Sequence, residues 1–325
     1  RFSISWPRVQ PDGQGTANDA GVAWYSRLVD LLLEHDIVPC PTLFHWDLPS
    51  ALEELGGMRH RDTAKRFADY AALMADRLGD RVTMWSTFNE PWCYAYLGHA
   101  IGHHAPGVSD PAAAVTVAHH ELLAHGWAVQ AMRSERSGLD LGIVLNPTNV
   151  EREGTPDADE DDIRRLDGLK NRWWSDAVFL GAYPADIIDD LGPLASAVHA
   201  GDVDQIAQPL DWVGINYDFD MLVRGLRDDD GADRLMRPFP TVTSTTDSET
   251  RPEHTDMGWP ITPDGFTKIL LRMHPEYPNL PPVYITENGC ASDDPGIDGR
   301  CADRRRSAYG DRPRRALRAA MAAGG

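Results

Sequence analysis

Short apolar runs alternate along this chain with longer stretches whose apolar residues recur every three or four positions. The short runs predict strands over residues 2–6, 37–46, 82–89, 141–145, 212–217 and 283–286. The longer stretches predict helices over residues 18–35, 63–78, 111–134, 159–180, 264–273 and 304–321. In the first of these helices Val22, Tyr25, Leu28, Val29, Leu32 and Leu33 keep the helical spacing, and in the second Phe67, Tyr70, Ala71 and Met74 share a face. Pro111 opens the third, where its missing N–H costs nothing. Pro39 and Pro41 interrupt the second strand run.

Strand, helix, strand, helix is the order that builds a parallel sheet covered by helices. No Gly/Ser linker or short-period repeat divides the chain, which predicts a single catalytic domain over 1–325. The polar stretches 151–162 and 224–253 read as solvated surface loops. An open doubly wound sheet would carry a Gly-rich phosphate turn after an early strand, and neither GxGxxG nor GxxxxGK[ST] occurs. Polar residues stand instead at the C-terminal tips of several strands: His45, Asn89 and Glu90, Asn216, then Glu287 and Asn288. A (β/α)8 TIM barrel places its chemistry there. Six strands are two fewer than that α/β barrel needs, so the expected fold is an incomplete one, with about six of eight core strands present.

Charge narrows the partners. The 325 residues hold 50 acidic and 31 basic side chains, a formal net charge of −19, which argues against nucleic acid and against anionic membranes. No apolar run approaches the roughly 18 residues of a membrane helix. Ten tryptophans offer flat faces for packing, or for stacking on sugars. The four cysteines, Cys40, Cys93, Cys290 and Cys301, form no CxxC pair, which in a chain of this size predicts reduced thiols and a cytoplasmic setting. The pairs His103-His104 and His119-His120 put adjacent side chains on different helix faces, and no HExxH is present, so no metal is expected.

Glu90 and Glu287 are the candidate catalytic pair. Each ends a strand, and each has an Asn neighbour, in Asn89-Glu90-Pro91-Trp92 and Thr286-Glu287-Asn288-Gly289. Cleaving a glycosidic bond needs two carboxyl groups, one holding a proton for the leaving oxygen and one ionised across the sugar carbon. The competing reading is that each carboxylate caps the helix that follows it. His45 is open to either reading, as a hydrogen-bonded core histidine or a site residue.

Arg1-Phe2-Ser3-Ile4-Ser5-Trp6-Pro7-Arg8, Leu43-Phe44-His45-Trp46-Asp47-Leu48-Pro49, Phe88-Asn89-Glu90-Pro91, Val213-Gly214-Ile215-Asn216-Tyr217, Met257-Gly258-Trp259 and Ile285-Thr286-Glu287-Asn288-Gly289 together resemble glycoside hydrolase family 1. The motifs follow that family's order and cover nearly the whole chain. The resemblance implies a (β/α)8 barrel and a retaining double displacement on terminal β-D-glucosyl or related residues, with Glu90 as acid/base and Glu287 as nucleophile. It implies that His45, Trp46, Asn89 and Asn216 bind the sugar, that Arg1 keeps Glu287 ionised, and that Trp92 and Trp259 line the leaving-group side. It implies no cofactor, and a small β-glycoside or oligosaccharide as the partner.

Departures from the family pattern matter too. The chain begins after the family's first barrel strand, with its sugar-binding Gln, and ends before the eighth, with its Trp and Glu-Trp, so it is expected to lack turnover on its own. Where the family has Asn-Tyr-Tyr, this chain has Asn216-Tyr217-Asp218. Strand alternation would turn residue 218 to the side of Asn216, where an Asp repels Glu287. Gly56-Gly57-Met58 stands where the family tends to have Trp after the two glycines. Three alternatives remain: a degenerate sugar-binding barrel without catalysis, a 6-phospho-β-glycosidase, and an unrelated metal-dependent barrel lyase.

Overall fold

The computed structural model describes residues 1–152, 160–224, 243–245, 253–293 and 304–323. Most of the two predicted polar loops, and Cys301, lie outside them. The chain divides into two compact units. The first holds Arg1–Leu145, Trp173–Gly214 and Pro281–Tyr284; the second holds Asn146–Arg172, Ile215–Leu280 and Ile285–Gly325.

Among the described residues, nine strands form two sheets. In chain order they are β1 (Phe2–Ser3), β2 (Pro41–Phe44), β3 (Met84–Asn89), β4 (Asp140–Leu145), β5 (Val150–Arg152), β6 (Trp212–Asn216), β7 (Met221–Arg224), β8 (Thr243–Thr245) and β9 (Val283–Glu287). The larger sheet runs β1-β2-β3-β4-β6-β9, the six predicted strands in chain order. Its first four strands pair parallel, with Phe2 opposite Pro41, Thr42 opposite Ser86 and Trp85 opposite Leu141. Helices return the chain between them, including Asp19–Glu34, Arg61–Leu78 and Pro111–Glu135.

In the first unit the core forms where strand and helix aromatics meet. Phe44 and Phe88 pack on Phe67 at centroid distances of 6.2 and 4.6 Å, and Trp6 stacks on Tyr70 at 5.1 Å. All five are fully buried, and the Tyr70 hydroxyl donates to the carbonyl of Leu43. Two glycines permit close approaches. A Cβ on Gly142 of β4 would lie 2.6 Å from the Trp212 ring, and one on Gly126 would lie 1.8 Å from the Gln205 carbonyl oxygen.

A buried ionic cluster ties three further segments together. Asp202 accepts from Arg61, from the backbone N–H of His199 and from His119 at 2.8 Å. Burial works against the Asp202 charge, but the Arg61, His199 and His119 hydrogen bonds hold its carboxyl well below the usual range. Burial pushes His119 down to about 4, outweighing its bond to Asp202. His119 is therefore a neutral imidazole that donates from Nε2 to Asp202, while Nδ1 accepts from the Tyr183 hydroxyl at 2.9 Å. His120 points elsewhere, with Nδ1 2.8 Å from the Met58 carbonyl.

The second unit contains the smaller sheet, with β7 central, parallel to β5 and antiparallel to β8. Arg272, from the Pro263–Glu276 helix, grips Asp167, which also accepts from Arg172 and Asn171. Tyr217 stacks on Phe266 of that helix at 4.9 Å.

Several predicted elements are shorter or broken. The first strand stops at Ser3, because Trp6 opens a short helix, Trp6–Val9, with Pro7 in its first turn. The second begins only at Pro41: the prolines leave 37–40 irregular, with Ile37 and Val38 half or more exposed. The predicted 159–180 helix divides into an α segment (Glu160–Asp167), a π segment from Gly168 (Gly168–Arg172) and a second α segment (Trp173–Phe179). Among the described residues, no helix is long and apolar enough to cross a membrane.

Candidate active site

The residues singled out in the sequence fall into two groups, one in each unit. Arg1, His45, Trp46, Asn89, Glu90 and Trp92 belong to the first; Asn216, Trp259 and Glu287 belong to the second.

In the first unit the tip of β3 carries Asn89 and Glu90, both buried. The Arg1 guanidinium donates to Asn89 Oδ1 at 2.5 Å, which fixes the amide's orientation. Its Nδ2 then faces His45 Nε2 at 3.2 Å. An amide nitrogen only donates, so Nε2 accepts and His45 carries its proton on Nδ1. Asn89 is thus oriented by a cation on one side and a neutral imidazole on the other. Within its own unit Arg1 thus bonds the amide beside Glu90.

The backbone is strained at both tips. Glu90 has φ +44° and Trp46 φ +76°, left-handed values that cost a non-glycine residue about 1–3 kcal/mol each. Both conformations are held by hydrogen bonds. The Glu90 N–H donates to the Val144 carbonyl at 2.9 Å, and the Trp46 indole N–H donates to the Asn89 carbonyl at 2.8 Å. Strain of this kind persists where surrounding structure over-determines it, and it concentrates at functional sites. Pro91 and Trp92 lead from Glu90 into a π-helical segment, Cys93–Ala100, another irregularity common beside active sites. Its first residue donates from Sγ to Glu90 Oε2 at 3.3 Å, and Trp92 stacks on Tyr96 at 5.7 Å. Sequence reading passed over Cys93, although its place three residues after Glu90 is the signal that would have found it.

In the second unit Glu287 ends β9 with its side chain exposed, while Asn216 ends β6 fully buried. Two strand-end bonds join these tips: Thr286 donates from Oγ1 to Asn216 Oδ1 at 2.6 Å, and the Tyr217 N–H donates to the Glu287 carbonyl at 3.2 Å. Asn288 adds a third, from Nδ2 to the Tyr217 carbonyl at 2.7 Å. Trp259 packs on Phe219 at 5.1 Å, with its N–H on Thr255 Oγ1 at 3.2 Å.

β6 ends at Asn216, so strand alternation does not reach residue 218. Asp218 instead lines a small cavity with Asn288, Tyr309 and Arg312.

The model of Glycosyl hydrolase family 1 matches residues 1–323. The chain belongs to this family. Thermostable β-glucosidase B of Thermobispora bispora is 40% identical over 330 residues, covering 100% of the chain and 65% of that protein. β-Glucosidase A of Thermotoga maritima is 37% identical over 311 residues, covering 95% and 67%. A psychrophilic β-glucosidase from Micrococcus antarcticus superposes with TM-score 0.90 at 40% identity, over 100% of this chain and 71% of that one. The chain therefore spans about two thirds of the length of these family 1 relatives. Its six-stranded sheet and helices are those of an incomplete (β/α)8 barrel, as the sequence pattern predicted.

Proposed function

We propose that this family 1 chain carries the catalytic residues of a retaining β-glucosidase, with Glu90 as acid/base and Glu287 as nucleophile. The observation that carries the reading is the strained, buried Glu90 at the tip of β3, beside an Asn89 whose amide is held from both sides. A carboxylate that only capped a helix would not need that strain. Relatives named β-glucosidase support the substrate class. So do solved family structures described in complex with a substrate analog, salicin, and with azafagomine, at 35 and 36% identity.

In the proposed reaction Glu287 attacks the anomeric carbon while Glu90 passes its proton to the departing glycosidic oxygen. A glycosyl ester on Glu287 results. Glu90, now a carboxylate, takes a proton from water as that water attacks the same carbon, and Glu287 leaves. The Cys93 thiol donates to Glu90 Oε2 and helps hold that oxygen in place. Asn89, aligned by Arg1 and His45, would hold the sugar's 2-hydroxyl, a contact that strengthens in the transition state. Trp46 and Asn216 would contact the sugar, with Trp92 and Trp259 on the leaving-group side. Residues 1–325 are taken as a single catalytic domain acting on a small β-glycoside. Four cysteines with no CxxC pair, in a chain of this size, support a cytoplasmic setting.

The test is the stereochemistry of the first product. Proton NMR of the complete gene product hydrolysing an aryl β-glucoside should show β-glucose first, mutarotating later. Initial α-glucose would mean inversion and overturn the proposal.

A further inference from the structure

The acid proposed above is a carboxyl group with two oxygens, and only one of them carries the proton that the leaving group receives. The turn that follows β3 distinguishes the two. The Glu90 carbonyl accepts from the Cys93 N–H at 2.9 Å, with Pro91 and Trp92 between them. Residues three apart in a helical turn share a face. Helical side chains also lean toward the N-terminus, so that of Cys93 reaches back toward Glu90. Its Sγ donates to Glu90 Oε2 at 3.3 Å. Both residues are buried, Glu90 6% and Cys93 7% exposed. At that burial a lost partner is not readily replaced by water.

A protonated carboxyl donates from one oxygen and only accepts at the other. If Oε2 bore the proton, its hydrogen would compete with the thiol hydrogen that points at it. With the thiol donating to Oε2, the proton belongs on Oε1. Once Glu90 has given that proton up, both oxygens accept, and the thiol keeps the same bond to Oε2. One bond thus serves before and after the transfer, and nothing at Cys93 has to rotate.

We propose that Cys93 is a positioning residue that assigns the catalytic proton of Glu90 to Oε1. The inference rests on the assignment of Glu90 as acid/base. In the first step the Oε1–H bond breaks as its hydrogen passes to the glycosidic oxygen. The bond from that oxygen to the anomeric carbon breaks, and its electron pair stays on the oxygen. In the second step water gives a proton to Oε1 as its own oxygen bonds to the anomeric carbon. The thiol neither gains nor loses a proton in either step.

The experiment compares the complete gene product with Cys93→Val, which fills a similar space without a donor, and with Cys93→Ser, which keeps a donor. Glu90→Ala is the reference. The substrates are phenyl β-glucoside, whose leaving oxygen needs a proton, and 2,4-dinitrophenyl β-glucoside, whose leaving oxygen needs little help. Cys93→Val should lower kcat/KM about tenfold on the phenyl glucoside and less than about twofold on the dinitrophenyl one, since a misplaced proton donor matters only where a proton must move. Cys93→Ser should recover most of the loss. Cys93→Val should add nothing in the Glu90→Ala background, because it acts through Glu90. Equal losses on both substrates would mean general distortion and overturn the proposal. A Cys93→Ser variant no better than Cys93→Val, or an unchanged rate on the phenyl glucoside in Cys93→Val, would overturn it as well. If Glu90→Ala itself fails to separate the two substrates, Glu90 is not the acid, and this inference falls with that assignment. If Glu90→Ala separates them and Cys93→Val does not, this inference alone fails.

Discussion

Glu121 lies inside the first unit with both carboxyl oxygens buried and no hydrogen-bond partner among the described residues, on the helix Pro111–Glu135. Burial pushes its carboxyl well above the ordinary value, so it is neutral in the folded protein. Replacing it with leucine removes two unsatisfied polar atoms and fills a similar volume. Leaving such groups buried costs about 1–3 kcal/mol, so Glu121→Leu should stabilise the protein by about that amount at pH 7. For a chain of this size that is roughly 1.5–4.5 °C in Tm. The pH dependence follows from the direction of the shift. A carboxyl raised in the folded state favours folding below its unfolded value, about 4.3, and loses that contribution as pH rises. The advantage of Glu121→Leu should therefore be smallest near pH 4 and grow toward pH 7. Scanning calorimetry of both proteins across this range measures the difference directly, and the other titrating groups cancel. A variant less stable than its parent, or an advantage that does not change with pH, would refute the reasoning.

Burial pushes His125 down to about 3 and His99 to about 4, so both are neutral when folded. Their stabilising effect is complete above the unfolded value near 6.5 and is lost as pH falls toward 4 and 3; Tm should drop through that window, and less steeply in His125→Gln. Asp202→Ala leaves buried His119 and half-buried Arg61 without their carboxylate and should cost about 3 kcal/mol in urea unfolding, near the low end for a broken buried pair because Arg61 reaches solvent. Glu90→Ala should slow glucosides with poor leaving groups by about 10²–10⁴ while sparing the first step on activated aryl glucosides; equal losses on both would contradict its acid role.

Much of this was legible in the sequence because period and position carry it. All six strands of the main sheet, and helices such as Asp19–Glu34 and Pro111–Glu135, follow from apolar spacing. Asn89, Glu90 and Glu287 stand out as polar residues that end apolar runs. Other features leave no such trace. Strands β5, β7 and β8 have three or four residues each, too few for a period to register. The φ angles of Trp46 and Glu90 depend on bonds to Asn89 and Val144 that only the fold brings near. Glu121 reads as an ordinary polar position on a helix that is buried nearly all round. The place of Asp218 does not follow from strand alternation, because the strand ends at Asn216.

The central claim is that Glu287 becomes covalently glycosylated while Glu90 handles protons. Its most direct test is to trap the complete gene product with an activated 2-deoxy-2-fluoro β-glucoside, digest it, and sequence the labelled peptide by mass spectrometry. The account predicts one label per chain, on Glu287 within Ile285-Thr286-Glu287-Asn288-Gly289. A label on Glu90, or steady turnover of ordinary β-glucosides with no label anywhere, would contradict it.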